Sequence, residues 1–340
     1  MKLVESKKSP VVSSRETTLR AYNDGLLTGD FYPVYYGIEV TRLCNLACVM
    51  CPHPQFAAAE KGHMNLDLFK QIVDQIAPHA EIIKLHWIGE PLLHPSIVEM
   101  TKYAKQNSDA KIYMSTNATM LKGELAEGIR TFGLDELIIS LDGNSKNTYE
   151  HIRVHGNFDK VVTNVEAFLQ KVMKYGGPVC HLKMIQFRAN VDESKAFQKR
   201  WSKFPNVMTD VTWLSDWAGN VENTRALSEF HNPIESSERV ACSDLWFKMQ
   251  IDWRGNVALC CFDANNTVNI GNLVLESLEN VWQSSALQAF RQRHLEKRYN
   301  GICKNCFDWA TPSEYEFWYS DDELIRDPQS IWYKWLVDPV

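Results

Sequence analysis

Apolar residues recur between positions 31 and 214 in two alternating rhythms. Continuous apolar runs at 34–40, 82–88, 111–115, 136–141, 179–187 and 207–214 have the length of buried strands. Between them, 66–77, the stretch from Pro95 through Met100 and Tyr103, 121–129, 158–172 and 193–201 carry apolar residues at helical spacing. Phe69, Ile72, Val73 and Ile76 make one such face, which Pro78 ends; Val161, Val162, Val165, Phe168 and Leu169 make another. Strand–helix alternation with short links implies parallel pairing and right-handed crossovers. Six units fall short of the eight that close a full barrel. The pattern therefore predicts an α/β chain with a partial (β/α)6 parallel barrel, its chemistry at the C-terminal ends of the strands.

Past the sixth strand the rhythm changes. Residues 1–33 read as a polar extension, 34–216 as the barrel, and 217–241 as a polar linker with Asn220, Asn223, Asn232 and Pro233. In 242–309 apolar alternation on both sides of Arg254-Gly255-Asn256 predicts a β-hairpin. Ile270-Gly271-Asn272 and one helix from Leu278 through Phe290 follow, so this module reads as a β-hairpin and helix. The tail at 310–340 is aromatic and acidic (Tyr315, Phe317, Trp318, Tyr319, Trp332, Tyr333, Trp335), a pattern that usually serves packing.

Composition narrows the classes. With 45% hydrophobic and 23% charged residues the chain is an ordinary globular one, yet no apolar run approaches the ~20 residues a membrane span requires. The first 22 residues lack the apolar core of a secretion signal, so a cytoplasmic protein is expected. Thirty-six Lys and Arg against 42 Asp and Glu leave a formal net charge of −6 with no basic block, which argues against a nucleic-acid partner.

Nine cysteines in such a chain point to metal or redox chemistry rather than disulfides. Cys44, Cys48 and Cys51 form a C-x3-C-x2-C run on a loop straight after the first strand. Three thiolates leave a four-iron cubane one protein ligand short; a zinc site would need a fourth donor, for which His53 is near. Cys242, Cys260, Cys303 and Cys306 can close a second site completely, and taken alone they suit zinc as well as iron–sulfur. Cys180 and Cys261 are left over.

The unusual polar residues fall on one rim. Strand two ends in Gly89-Glu90-Pro91, strand three in Ser115-Thr116-Asn117, and strand four in Ser140-Leu141-Asp142-Gly143; strand five carries Lys183, Gln186 and Arg188. Any one of these could simply be a turn residue. Together with the cysteine triplet they mark a candidate active site.

On those residues the sequence resembles the radical S-adenosylmethionine (radical SAM) superfamily: the triplet at that spacing, then the Gly-Glu-Pro, Ser-Thr-Asn and Ser-Leu-Asp-Gly elements. The late cysteines resemble the family's twitch extension, the short form of the SPASM domain. The resemblance implies a [4Fe–4S] cluster on Cys44, Cys48 and Cys51 and one auxiliary [4Fe–4S] cluster on Cys242, Cys260, Cys303 and Cys306. It also implies S-adenosylmethionine as cosubstrate and a flavodoxin- or ferredoxin-type reductant. Cleavage of the sulfonium would yield a 5′-deoxyadenosyl radical that takes a hydrogen atom from a small-molecule substrate. It further implies that Gly89 and Glu90 meet the methionyl ammonium and that Asn117 and Ser140 lie near the ribose or carboxylate. Arg153 is a candidate carboxylate partner, and Met50 takes the position against the adenine.

A fully ligated second cluster suits electron removal, so dehydrogenation of a sugar- or aminocyclitol-like alcohol is the expected reaction, with Lys183, Arg188, His181 and Asp216 as candidate substrate or proton-transfer groups. Epimerisation, with Cys261 or Cys180 returning a hydrogen atom, is a second reading. A peptide maturase is a third, weakened by the 33 residues before the first strand being too few for a leader-binding domain. A zinc-binding or electron-transfer module is the non-enzyme alternative.

Overall fold

The structure is a computed structural model that describes residues 14–205, 207–215, 217–219, 224–227, 239–304 and 306. Asp216, the linker residues named above and the aromatic tail lie outside the described residues.

Six strands, β1 (Tyr35–Ile38), β2 (Ile82–Lys84), β3 (Lys111–Thr116), β4 (Glu136–Ser140), β5 (Val179–Gln186) and β6 (Val207–Trp213), pair in parallel, each with its sequence neighbour. The helical crossovers are α2 (Leu66–Ile76), α3 (Ile97–Asn107), α4 (Gly123–Thr131), α5 (Lys146–Ile152), α6 (Phe158–Tyr175) and α7 (Ser194–Trp201), all after an N-terminal α1 (Ser14–Asn23). Local chemistry sets their ends. Asn65 caps α2, its side chain accepting from the Asp67 and Leu68 amides at 2.8 and 3.3 Å. Asn157 caps α6 in the same way through the Lys160 amide, and Gly176 closes that helix at a positive φ of 77°. Phe69, Ile72, Val73 and Ile76 of α2 are buried as their spacing requires.

The sheet does not stop at the six expected strands. β7 (Lys248–Ile251) pairs in parallel with β1, and β8 (Asn256–Ala258) and β9 (Asn269–Asn272) continue antiparallel, giving the order β6-β5-β4-β3-β2-β1-β7-β8-β9. The hairpin turn is tied by Asp252, whose Oδ1 accepts from the Arg254 and Asn256 amides, while Gly255 supplies the left-handed φ of 84°. The hairpin thus belongs to the barrel's own sheet.

One local expectation needs correction. The helix expected from Leu278 through Phe290 is two helices, Leu278–Trp282 and Ser285–Leu295. Ser284 interrupts them, because its hydroxyl caps the second by accepting from the Leu287 amide. The polar N-terminal stretch contains α1, which buries only Thr18 and Ala21. Tyr22 at its end lies edge-on to Trp246 with ring centroids 5.4 Å apart and donates to the Ala241 carbonyl.

Alternation along the strands divides two environments. Cys180, Leu182 and Met184 of β5 face the core shared with the helices, whereas His181, Lys183 and Ile185 point to the barrel interior. His181 sits between Asp210 (Nδ1 to Oδ2, 3.0 Å) and Glu136 (Nε2 to Oε2, 3.1 Å). Burial opposes its charge, but the hydrogen bonds to Asp210 and Glu136 prevail and raise its pKa from the ordinary 6.5 to about 9. The folded pKa being the higher one, the stabilisation is complete below pH ~6.5 and is lost as the pH rises through about 9. His181→Gln is expected to remove this pH dependence from thermal melts between pH 6 and 10; an unchanged profile would contradict the assignment.

Candidate active site

The loop after β1 is built for tight control. Glu39, 0% exposed, holds Arg42 with both carboxylate oxygens at 3.0 Å from Nε. The Arg42 guanidinium lies 4.9 Å from the Phe56 ring centroid and 5.7 Å from that of Trp87. The triplet follows. Its backbone is pinned by the Ala47 amide donating to the Val154 carbonyl and the Val49 amide to the Ile152 carbonyl, both at 3.0 Å. Leu46, Met50, Ile152, Phe187 and Leu214 make an apolar shell around Cys48.

The three triplet thiols influence one another, and burial raises them all: Cys44 to about 11, Cys51 to about 12, and Cys48 in the same direction. Arg153 adds a fixed positive charge. It donates to Asp142 Oδ2, acts electrostatically on Cys48, and is 8% exposed. Burial opposes its charge, but Asp142 and Cys48 hold its pKa well above the ordinary value. Asp142, with a φ of 59°, also accepts from the Ile185 amide through Oδ1 at 2.7 Å. Arg153 is therefore an interior cation joined to the triplet rather than a surface one.

Glu90 is fixed at all its near contacts. Oε1 accepts from Thr116 Oγ1 (2.6 Å) and the Leu92 amide (3.0 Å), and Oε2 accepts from the Asn117 amide (2.7 Å). Burial raises its pKa against those bonds. The carboxylate thus ties the ends of β2 and β3 together. Gly89 explains itself by approach: a Cβ would lie 2.1 Å from the Thr41 carbonyl oxygen and 2.8 Å from that of Leu43. Gly89→Ala is expected to cost about 3 kcal/mol or more and to lower the iron retained after reconstitution; a wild-type melting temperature would refute this packing argument. Asn117 reaches Asn45 Oδ1 at 3.1 Å and Cys44 Sγ at 3.9 Å, and Ser140 Oγ lies 3.3 Å from Ser115 Oγ. Lys183 stands beside Ser140 in the β4–β5 register, and Arg188 is on the exposed turn after β5.

The second cysteine set gathers where the hairpin meets the chain's later turns. Cys242, Cys303 and Cys306 all act electrostatically on Cys260, and burial holds Cys242 and Cys260 well above the ordinary thiol range. The Cys242 amide donates to His294 Nδ1 at 3.2 Å, and Arg239 donates to the Cys303 carbonyl at 2.8 Å. Among the described residues no three Cys, His, Asp or Glu side chains converge on a single-ion position. His53, the sequence candidate for a fourth zinc ligand, instead sets its Nε2 3.0 Å from the Arg42 carbonyl. Two sets of soft thiol donors, three and four strong, fit iron–sulfur clusters.

Sequence reasoning missed the Glu39–Arg42 pair and two tryptophans. The Trp87 indole donates to the Cys261 carbonyl at 2.7 Å, and the Trp217 indole to the Met50 carbonyl at 3.2 Å. Single aromatic residues at strand ends carry no signature that separates them from packing.

Comparison with known proteins agrees with this arrangement. The family model of the radical SAM superfamily matches residues 38–186, and that of an iron–sulfur cluster-binding domain, SPASM, matches 242–307. The AdoMet-dependent heme synthase of Methanosarcina barkeri is 30% identical over 129 residues, 38% of this chain but only 37% of that protein. The tungsten-containing aldehyde ferredoxin oxidoreductase cofactor-modifying protein of Pyrococcus furiosus is 26% identical over 326 residues, covering 83% of this chain and 89% of its own. The mycofactocin maturase MftC of Mycobacterium tuberculosis is 26% identical over 310 residues, 81% and 75% respectively. Among solved structures, BtrN in complex with AdoMet and 2-DOIA superposes with a TM-score of 0.56 at 18% identity over 84% of this chain and 97% of that one. SuiB of Streptococcus suis bound to precursor peptide SuiA gives 0.62 at 14% identity over 85% and 74%. The cofactors are accordingly [4Fe–4S] clusters and S-adenosylmethionine. No helix among the described residues is long and apolar enough to cross a membrane. Matched by these two models over residues 38–186 and 242–307, the chain belongs to the radical SAM superfamily and carries a SPASM-type iron–sulfur domain.

Proposed function

We propose that this radical SAM enzyme dehydrogenates an alcohol on a small sugar- or aminocyclitol-like substrate. What supports this reading is the place of the second cysteine set: β7, which leads into the Cys260 hairpin, pairs directly with β1, which leads into the triplet. BtrN, which shares this fold, was crystallised with AdoMet and 2-DOIA. Cys44, Cys48 and Cys51 would hold one cluster and Cys242, Cys260, Cys303 and Cys306 the other. When bound, these groups and S-adenosylmethionine supply hydrogen-atom abstraction and electron removal.

The chain's own residues do the rest. Met50, Gly89, Asn117 and Ser140 would hold S-adenosylmethionine. Glu90 holds that cradle by tying Thr116 and Asn117 to the end of β2. Arg153 places a positive charge against Cys48. Lys183, one step down from the rim beside Ser140, would hold the substrate oxygen as a hydrogen-bond donor while the hydroxyl proton passes to solvent, and Arg188 would meet the substrate at the mouth of the barrel. The buried apolar shell around the triplet excludes water. A flavodoxin- or ferredoxin-type protein in the cytoplasm supplies the starting electron. Cys303→Ala should reduce product far more than it reduces 5′-deoxyadenosine; equal loss of both, with folding intact, would overturn the acceptor role of the second site. Product mass should fall by two units.

Epimerisation retains one donor thiol, Cys261, because Cys180 is 1% exposed on the helix side of the sheet. In deuterated water an epimerase would install one deuterium with no other mass change. Peptide or cofactor-precursor maturation is a second reading, favoured by the names of the Pyrococcus and Mycobacterium relatives, both matched over more than four-fifths of this chain.

A further inference from the structure

The two cysteine loops are joined by a series of side-chain and backbone contacts that passes through Trp87. The His53 amide donates to Cys51 Sγ at 3.5 Å, and the His53 ring meets the Arg42 carbonyl at 3.0 Å. Arg42 is locked by Glu39, and its guanidinium lies against Trp87 and Phe56. The Trp87 indole then donates at 2.7 Å to the carbonyl of Cys261, next in sequence to the proposed ligand Cys260. A second span runs independently. Trp217 donates to the Met50 carbonyl within the triplet run and lies edge-on to Phe262, ring centroids 6.1 Å apart, beside Cys261. The turn that follows these anchors is tied by Asp263, 0% exposed, which accepts from the Thr267 and Val268 amides at 2.9 Å each.

We propose that Trp87 and Trp217 are positioning residues that fix the auxiliary cysteine loop relative to the triplet loop, Trp87 acting on the auxiliary side and Trp217 on the triplet side. This assignment rests on the reading that the second site works together with the first. An indole offers a flat, rigid body and a single N–H, so each ring sets both a spacing and a direction. Contiguous packed contacts of this kind carry coupling between sites only when shown to do so by perturbation.

The test uses the full chain, reconstituted anaerobically, with Trp87→Phe and Trp217→Phe, which keep a ring and remove the N–H. Iron content, the electron paramagnetic resonance of the dithionite-reduced protein with and without S-adenosylmethionine, and product per 5′-deoxyadenosine are read together. Trp87→Phe is expected to alter the auxiliary signal and the dipolar interaction between the clusters, and to leave the change that S-adenosylmethionine produces at the other cluster. Trp217→Phe is expected to do the reverse, and both should lower product per nucleoside about tenfold. Unaltered spectra with an unaltered ratio in both variants would overturn the proposal. Loss of auxiliary iron in Trp87→Phe that Trp87→His restores supports it; loss in both variants overturns the hydrogen bond as the positioning element. The spectra need no substrate, so failure of the dehydrogenase reading would appear in product identity alone.

Discussion

Cys48→Ala is expected to leave a folded protein that forms no detectable 5′-deoxyadenosine from S-adenosylmethionine under dithionite. Cys48 is the middle thiol of the triplet, 8% exposed and under the influence of the Arg153 charge. Two thiolates are too few to hold a four-iron cluster, and the side chain has no substitute nearby because His53 is committed to the Arg42 carbonyl. The loop itself should persist, since the Ala47 and Val49 amides that pin it belong to the backbone. The matched control is Cys180→Ala, an equal change in composition within the helix-side core, which should keep nucleoside formation within about twofold of wild type. Iron and sulfide analysis checks the cause: Cys48→Ala should lose about half of the wild-type iron, the auxiliary set being intact. Nucleoside formation at the wild-type rate would remove the triplet from the chemistry.

The barrel was legible because its strands are continuous apolar runs and its helices have a marked apolar face, two patterns that burial on both sides of a parallel sheet enforces. The triplet could be placed on one loop because Cys44, Cys48 and Cys51 are close in sequence, whereas Cys242, Cys260 and Cys303 are far apart along the chain. What escaped was non-local or ambiguous. Nothing in Lys248–Ile251 says that this strand will add to β1 rather than form a separate small sheet. Helix α1 has too few buried positions, Thr18 and Ala21, to show a periodic face. The run from Leu278 to Phe290 keeps its apolar rhythm across Ser284, and only the side-chain cap reveals the break. Arg153 was visible as a cation but not as a buried one, because Asp142, its partner, is eleven residues away beyond β4. The rim residues of the Gly-Glu-Pro and Ser-Thr-Asn elements converge as their strand-end positions implied. Glu90, however, spends its near contacts on Thr116, Leu92 and Asn117, which the sequence could not show.

Arg153→Met is expected to destabilise the protein by about 3–5 kcal/mol and to suppress cluster assembly at the triplet. The substitution is close to the arginine stem in shape, so its main effect is electrostatic. Asp142, fully buried, would keep the Ile185 amide on Oδ1 but lose the guanidinium on Oδ2. An uncompensated interior carboxylate is costlier than the pair's own net contribution. Cys48 would lose the charge that favours its thiolate while burial continued to oppose it. The double variant Arg153→Met, Asp142→Asn separates these two effects. Removing the stranded charge should recover more than half of the lost stability measured by chemical denaturation, because residues in one ion pair do not act additively. It should not recover iron at the triplet, since neither change returns a cation to Cys48. Recovery of both would mean that Arg153 serves only to neutralise Asp142; recovery of neither would mean that the guanidinium acts chiefly through packing among Cys48, Asp142 and the α5 end.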